Sequence, residues 1–235
     1  MRFMKQKIRA IFLMFSTAVG FFMAAATDAR AQNLLGEILN RMDAHNKSLQ
    51  SLRARIKMVK TNVQIGEDDL YEGSVQYLPA PSKEKIRVRV DWEKPAVEQL
   101  AVGNGQYILY RPRLNQAIVG RIDNAKGNAG AGGALAFLSM NRAQLKANYD
   151  VVYLGEETVG GSTRTWHLRL TPKIPGAYNS ADLWVDVNGM PLQAKIVEKN
   201  NDSTTVYLYD IQKNVPVDSS VFAIKPPKGT KIVQG

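Results

Sequence analysis

The spacing of apolar residues changes from helical to strand-like near residue 52. Five apolar residues near the start recur every three or four positions: Leu34, Leu35, Ile38, Leu39 and Met42. This spacing predicts one apolar stripe on an amphipathic helix. From Ala54 onward apolar residues alternate with arginine and lysine, which predicts a strand with one dry face.

The clearest strand signal lies in residues 85–92. The apolar side chains of this stretch are predicted to share one face: Ile86, Val88, Val90 and Trp92. The charged ones are predicted to share the other face: Lys85, Arg87, Arg89 and Asp91. Alternation of this kind indicates a half-buried strand, and prolines at 79, 81 and 95 place turns at both of its ends.

Short strands with intervening turns account for most of the remaining chain. They are predicted within residues 97–122 and at 150–154, 164–170, 182–187, 193–199 and 204–210. Glycine, asparagine and proline occupy the turns. The regular spacing predicts a mainly-β fold: a single curved antiparallel sheet that forms an open, unclosed β-barrel covered by a few helices.

A second helix is predicted at residues 134–147, after a glycine-rich stretch at 126–133. The apolar residues of this helix are Leu135, Phe137, Leu138, Met140 and Leu145. Four glycines in the preceding stretch predict a flexible hinge. We therefore expect a short apolar helix that can move as a lid over the sheet.

The first 31 residues have the order of a secretory signal peptide. Four basic residues precede an uncharged apolar run from Ile11 to Ala26, and Ala29-Arg30-Ala31 fits the cleavage pattern. The alternative is an uncleaved membrane anchor, for which a run of this length is short. We predict cleavage after Ala31, export from the cytoplasm, and one folded domain over residues 32–235.

Composition narrows the function classes. The 235 residues include no cysteine, which excludes a disulfide framework, a cysteine zinc site and a cysteine nucleophile. Removing the predicted signal peptide takes away five basic residues and one acidic residue, so the formal net charge falls from +10 to +6. This modest charge in an exported protein argues against nucleic-acid binding but is compatible with a transient contact to anionic headgroups.

Motifs for catalysis or metal binding are absent from the sequence. The two histidines, His45 and His167, do not have metal-ligand spacing, and both are predicted to face solvent. Neither a phosphate-binding glycine loop nor a G-x-S-x-G elbow occurs. We predict no enzymatic activity, no cofactor and no metal.

Three stretches resemble a known family. They are residues 73–77 with 85–95, residues 102–112, and residues 182–186 with 190–191 and 221–229. In order and composition they resemble the periplasmic outer-membrane lipoprotein carrier family, LolA. In that family an arginine before a proline tethers a helical lid, whereas here Ala80 precedes Pro81.

The resemblance implies a monomeric periplasmic carrier of acylated lipoproteins or lipids, with an inner-membrane donor complex and an outer-membrane acceptor. The expected acyl-chain-binding residues are Leu35, Ile38, Leu39, Ile86, Val88, Val90, Trp92, Leu135, Phe137, Leu138 and Met140. The alternative is a lipid- or lipoprotein-sensing regulatory or adaptor protein of the same fold. An enzyme is a distant third.

Overall fold

The computed structural model describes residues 32–80, 86–121, 135, 137, 140–176 and 178–235. The predicted signal peptide, the glycine-rich hinge and Leu138 lie outside these residues. The chain divides into two compact units, Met1–Ile38 and Leu39–Gly235. Residues 32–48 are helical and are called α1. Within the described ranges, no helix is both long enough and apolar enough to cross a bilayer.

Twelve strands form one sheet in the unit Leu39–Gly235. They are β1 (Leu52–Asn62), β2 (Glu67–Leu78), β3 (Arg87–Lys94), β4 (Glu98–Gly103), β5 (Gln106–Arg111), β6 (Gln116–Arg121), β7 (Tyr149–Val159), β8 (Thr163–Pro172), β9 (Tyr178–Asp186), β10 (Pro191–Glu198), β11 (Ser203–Lys213) and β12 (Lys231–Gln234). Their spatial order is β12-β6-β5-β4-β3-β2-β1-β11-β10-β9-β8-β7.

The sheet is open, because β12 and β7 stand at opposite ends of this order and do not pair with each other. The predicted mainly-β fold with one curved, unclosed sheet is confirmed. One detail of the prediction is wrong: β12 pairs with β6 in the parallel direction. The chain reaches β12 through the segment after β11 rather than through a tight hairpin, which allows this orientation.

One face of the sheet carries a continuous apolar row. Register pairs Val75 with Val90, Val90 with Leu100, and Leu100 with Leu109, and all four side chains are buried. The alternation predicted for β3 is observed, since Val88, Val90 and Trp92 are buried whereas Arg87 is exposed. We call the side of the sheet that bears this row the apolar face.

The predicted second helix over residues 134–147 is interrupted. Leu135 is helical and Phe137 lies in a 3-10 turn, but a separate helix, α2, runs from Arg142 to Asn148. Asn141 accepts a hydrogen bond from the backbone N–H of Gln144, and the Gln144 side chain accepts one from the N–H of Asn141. This capping box fixes the helix start, so Leu135, Phe137 and Met140 precede α2 rather than forming one of its faces.

The turn between β9 and β10 packs directly on α1. A Cβ on Gly189 would lie 2.2 Å from the carbonyl carbon of Arg41, and the residue has a φ of +85°. Both observations require glycine at this position. Arg41 donates a hydrogen bond to the carbonyl of Val187 (2.7 Å) and lies 5.4 Å from the ring centroid of Trp166.

Candidate functional site

A cleft of about 820 Å³ lies between the C-terminal half of α1, the facing ends of β2 and β3, and the start of α2. Its lining residues are Asp43, Asn46, Lys47, Leu49, Tyr77, Pro79, Ala80, Ile86, Met140, Asn141, Ala143, Gln144, Asn148 and Tyr149. The volume falls within the range of small-ligand sites in proteins.

One wall of the cleft is continuous with the apolar face. Tyr77 of β2 pairs with Val88 of β3, so both side chains lie on that face. Ile86, just before β3, and Leu49, just after α1, are buried beside it. The cleft therefore borders the margin of the apolar face.

The opposite wall is polar and joins the two helices. The Asp43 carboxylate accepts a hydrogen bond from the backbone N–H of Arg142 at 2.6 Å. The Asn46 amide donates to the carbonyl of Met140 at 3.0 Å, and the Arg142 guanidinium donates to the Asn40 side chain. We call these three hydrogen bonds the α1–α2 latch.

An aromatic cluster lies beside the cleft. The ring centroid of Phe137 is 5.9 Å from that of Tyr149 and 6.3 Å from that of Tyr178. The two tyrosine hydroxyls are hydrogen-bonded at 2.7 Å. Burial, together with this hydrogen bond, raises the pKa of Tyr178 well above its usual value. The cluster attaches the segment before α2 to β7 and β9.

The predicted acyl-binding residues are mostly buried. Eight have buried side chains: Ile38, Leu39, Ile86, Val88, Val90, Trp92, Leu135 and Phe137. Leu35 and Met140 are partly exposed. Of the predicted set, the cleft brings together Ile86 and Met140, while Val88, Val90 and Trp92 continue along the apolar face beyond it.

One charged residue that the sequence patterns did not identify, Lys60, lies on the same face, at the other end of its strands. Lys60 extends the alternation of Ile56 and Met58, and its ammonium lies 5.0 Å from the ring centroid of Tyr71. Burial lowers the pKa of Lys60 from its usual value. Continuing the period-two pattern of β1 to residue 60 would have identified it.

Both histidines are buried, which contradicts their predicted exposure. His167 lies on the sheet face opposite the apolar face, stacked on Trp184 at 4.3 Å and hydrogen-bonded to Glu157 at 2.7 Å. Burial, and secondarily Lys213, lower the pKa of His45. Among the described residues, no histidine, aspartate and glutamate cluster could hold a metal ion.

Two sequence comparisons identify proteins that are similar to this chain. Residues 85–225 match the family described as "Outer membrane lipoprotein carrier protein LolA". An outer-membrane lipoprotein carrier protein of Helicobacter hepaticus is 23% identical over 191 residues, covering 81% of this chain and 87% of that protein.

Solved structures are similar to this chain at low sequence identity. An uncharacterized conserved protein of Thermus thermophilus matches with a TM-score of 0.51 and 14% identity, covering 86% of this chain and 99% of that one. A LolA superfamily protein of Nitrosomonas europaea matches with a TM-score of 0.43 and 15% identity, covering 83% of this chain and 97% of that one.

Proposed function

The chain belongs to the LolA family of outer membrane lipoprotein carrier proteins, and we propose that it carries acyl chains of lipoproteins or lipids across the periplasm toward the outer membrane. The signal peptide is removed after Ala31, and residues 32–235 act as one exported domain. The protein acts by binding, without catalysis, and exchanges cargo with an inner-membrane donor complex and an outer-membrane acceptor.

The cleft beside the apolar face is the observation that carries this proposal. Transfer of an acyl chain through water is costly, because exposing each methylene to water costs about 0.8 kcal/mol relative to burying it. A carrier therefore needs apolar side chains that a chain of methylenes can reach. Tyr77 and Ile86 provide that contact at the cleft, and Val88 and Val90 continue it along the sheet.

The polar wall of the cleft suits the polar groups of an acylated ligand. Asp43, Asn46, Lys47 and Gln144 face the same cleft as the apolar residues. An acylated lipoprotein has amide and ester groups next to its acyl chains, and these groups need hydrogen-bonding partners when water is displaced. A cleft with one apolar wall and one polar wall fits such an amphiphile better than a purely apolar ligand.

Val88, Val90 and Trp92 are buried, so an acyl chain reaches the apolar face only when the elements packed over that face move. The α1–α2 latch consists of three hydrogen bonds at the cleft, which contribute about 1 kcal/mol each when both groups are neutral and about 1.5–3 kcal/mol when one is charged. We propose that opening of the latch exposes the apolar face and that ligand binding favours the open form.

Titration with a fluorescent fatty acid and a fluorescent lipopeptide tests the proposal. Ile86→Asn places an amide in the apolar wall, and we expect the affinity for both probes to fall at least about tenfold. The matched control is Arg87→Asn, which changes the adjacent exposed residue and leaves binding unchanged. Parental affinity in the Ile86 variant, with an unchanged melting temperature, would remove the cleft from the proposed function.

A further inference from the structure

The turns at the two ends of the sheet differ in chemistry. At one end, β4–β5, β7–β8 and β9–β10 are joined through Asn104-Gly105, Gly160-Gly161 and Asn188-Gly189. At the other end, four of the five turns (β1–β2, β3–β4, β5–β6 and β8–β9) contain valine, leucine or isoleucine, whereas the β10–β11 turn, Lys199-Asn200-Asn201-Asp202, is polar. The register makes these four turns parts of one edge, since Thr61 pairs with Ser203 and Glu198 pairs with Tyr178.

The aliphatic side chains in these four turns project into solvent. We call them the apolar rim: Val63, Ile65, Val97, Leu114 and Ile174. Leu114 is 64% exposed and Ile174 is 82% exposed. Among the described turns at the opposite end, Val187 is the one large hydrophobic residue with comparable exposure, at 54%. Single exposed hydrophobic residues are common on proteins, but their concentration at one end of a sheet is not.

Cations accompany the apolar rim. Exposed Arg113 precedes Leu114, and exposed Lys173, whose ammonium donates a hydrogen bond to the carbonyl of Lys146 at 2.6 Å, precedes Ile174. Lys94, the last residue of β3, is also exposed, but its ammonium pairs with the Glu72 carboxylate at 3.0 Å. Glu67 and Asp68 follow the β1–β2 turn, so the charge of the whole end is mixed. The apolar side chains, rather than net charge, distinguish this end.

The spacing of the turns favours a bilayer as the partner. Neighbouring strands are about 4.8 Å apart, so the β1–β2, β3–β4 and β5–β6 turns follow one another at roughly 10 Å. Each turn presents one or two separate aliphatic side chains rather than a continuous patch. Such dispersed side chains suit a deformable apolar phase, whereas a protein partner would need a separate pocket for each.

We propose that the apolar rim inserts into the interfacial region of a phospholipid bilayer and docks the protein there with this end of the sheet. Arg113 and Lys173 then lie at the depth of the lipid phosphates, as cations beside inserted aliphatic residues do. This inference rests on the proposed function, since a carrier of acyl chains exchanges them with membranes.

Vesicle co-sedimentation tests the inference. The vesicles consist of phosphatidylethanolamine and phosphatidylglycerol. The protein is purified in the form that its host exports, and its N-terminus is sequenced. The test variant is Leu114→Ser with Ile174→Ser. Loss of two inserted aliphatic side chains is expected to weaken vesicle binding at least about tenfold. The matched control is Val187→Ser at the opposite end, which is expected to bind as the parent does.

Two further measurements distinguish a failure of the membrane-docking inference from a failure of the proposed function. Unchanged binding of the fluorescent lipopeptide by the Leu114 and Ile174 variant is expected, because neither residue lines the cleft. Parental vesicle binding by that variant overturns the inference and leaves the proposed function standing. A parent that binds no vesicles but forms a dimer in solution that the variant lacks also overturns it, because the apolar rim would then contact a second copy.

Discussion

Asp43 of α1 accepts a hydrogen bond from the backbone N–H of Arg142, the first residue of α2, at 2.6 Å. The first N–H groups of a helix have no partner within the helix, and a carboxylate is favoured at this end. Asp43 therefore stabilises α2 and holds it to α1 at the same time.

Asp43→Ala is expected to accelerate both binding and release of a fluorescent acyl probe, because it removes one hydrogen bond of the α1–α2 latch. The loss of a capping carboxylate costs about 1 kcal/mol of stability. Asp43→Asn keeps an accepting oxygen and serves as the conservative control. Stopped-flow rates that are the same for parent, Asp43→Ala and Asp43→Asn would show that this contact does not limit entry.

Val88→Asp is expected to destabilise the protein by several kcal/mol, because it buries an unpaired carboxylate on the apolar face. Arg87→Asp introduces the same group at the exposed neighbour and is expected to change stability by less than about 1 kcal/mol. Urea unfolding of both variants measures the contrast. Similar midpoints would mean that β3 does not have one buried face.

Phe137→Ala is expected to weaken acyl-probe binding and to lower stability by about 3 kcal/mol, because the ring packs on Tyr149 and Tyr178 beside the cleft. Tyr178→Phe keeps the ring and removes the hydroxyl contact to Tyr149, at a cost of about 1 kcal/mol. Probe affinity and thermal unfolding are measured for both. Parental affinity in a folded Phe137→Ala variant would exclude this segment from the ligand site.

His45 is expected to make stability depend on pH. Burial lowers its pKa in the folded state below the usual 6.5, so the unfolded chain binds a proton more readily. His45 therefore leaves the free energy of unfolding unchanged above about pH 6.5. As the pH falls from there toward the folded-state pKa, that free energy decreases. His45→Gln should reduce the fall in melting temperature between about pH 7.5 and pH 5.5. An identical fall in parent and variant would assign the pH dependence to other groups.

Local patterns in the sequence predicted the open sheet because hydrophobic alternation reports which strand face is buried. The alternation at Val88, Val90 and Trp92 is an example, and the register then placed Val75 and Leu100 beside them. The start of α2 was not predicted, because the side-chain hydrogen bonds of Asn141 and Gln144 fix it and an apolar pattern does not report such bonds.

Contacts with residues that are distant in sequence explain the other differences between the predicted and the observed side-chain environments. His167 was predicted on a wet face, but Trp184 and Glu157 from neighbouring strands cover it. Arg89 looked like a solvated residue, yet its guanidinium donates a hydrogen bond at 3.4 Å to the carbonyl of Val221 in the C-terminal segment. Contacts of this kind depend on tertiary structure and leave no periodic signal in the chain.

We propose that acyl chains bind at the cleft and along the apolar face. Photo-crosslinking with a lipopeptide whose acyl chain carries a diazirine, followed by peptide mass spectrometry, tests it most directly. We predict adducts on residues of the cleft and the apolar face, with Tyr77, Ile86 and Met140 first, and competition by unlabelled lipopeptide. Competed adducts confined to the opposite face of the sheet, around His167 and Trp184, would contradict the claim.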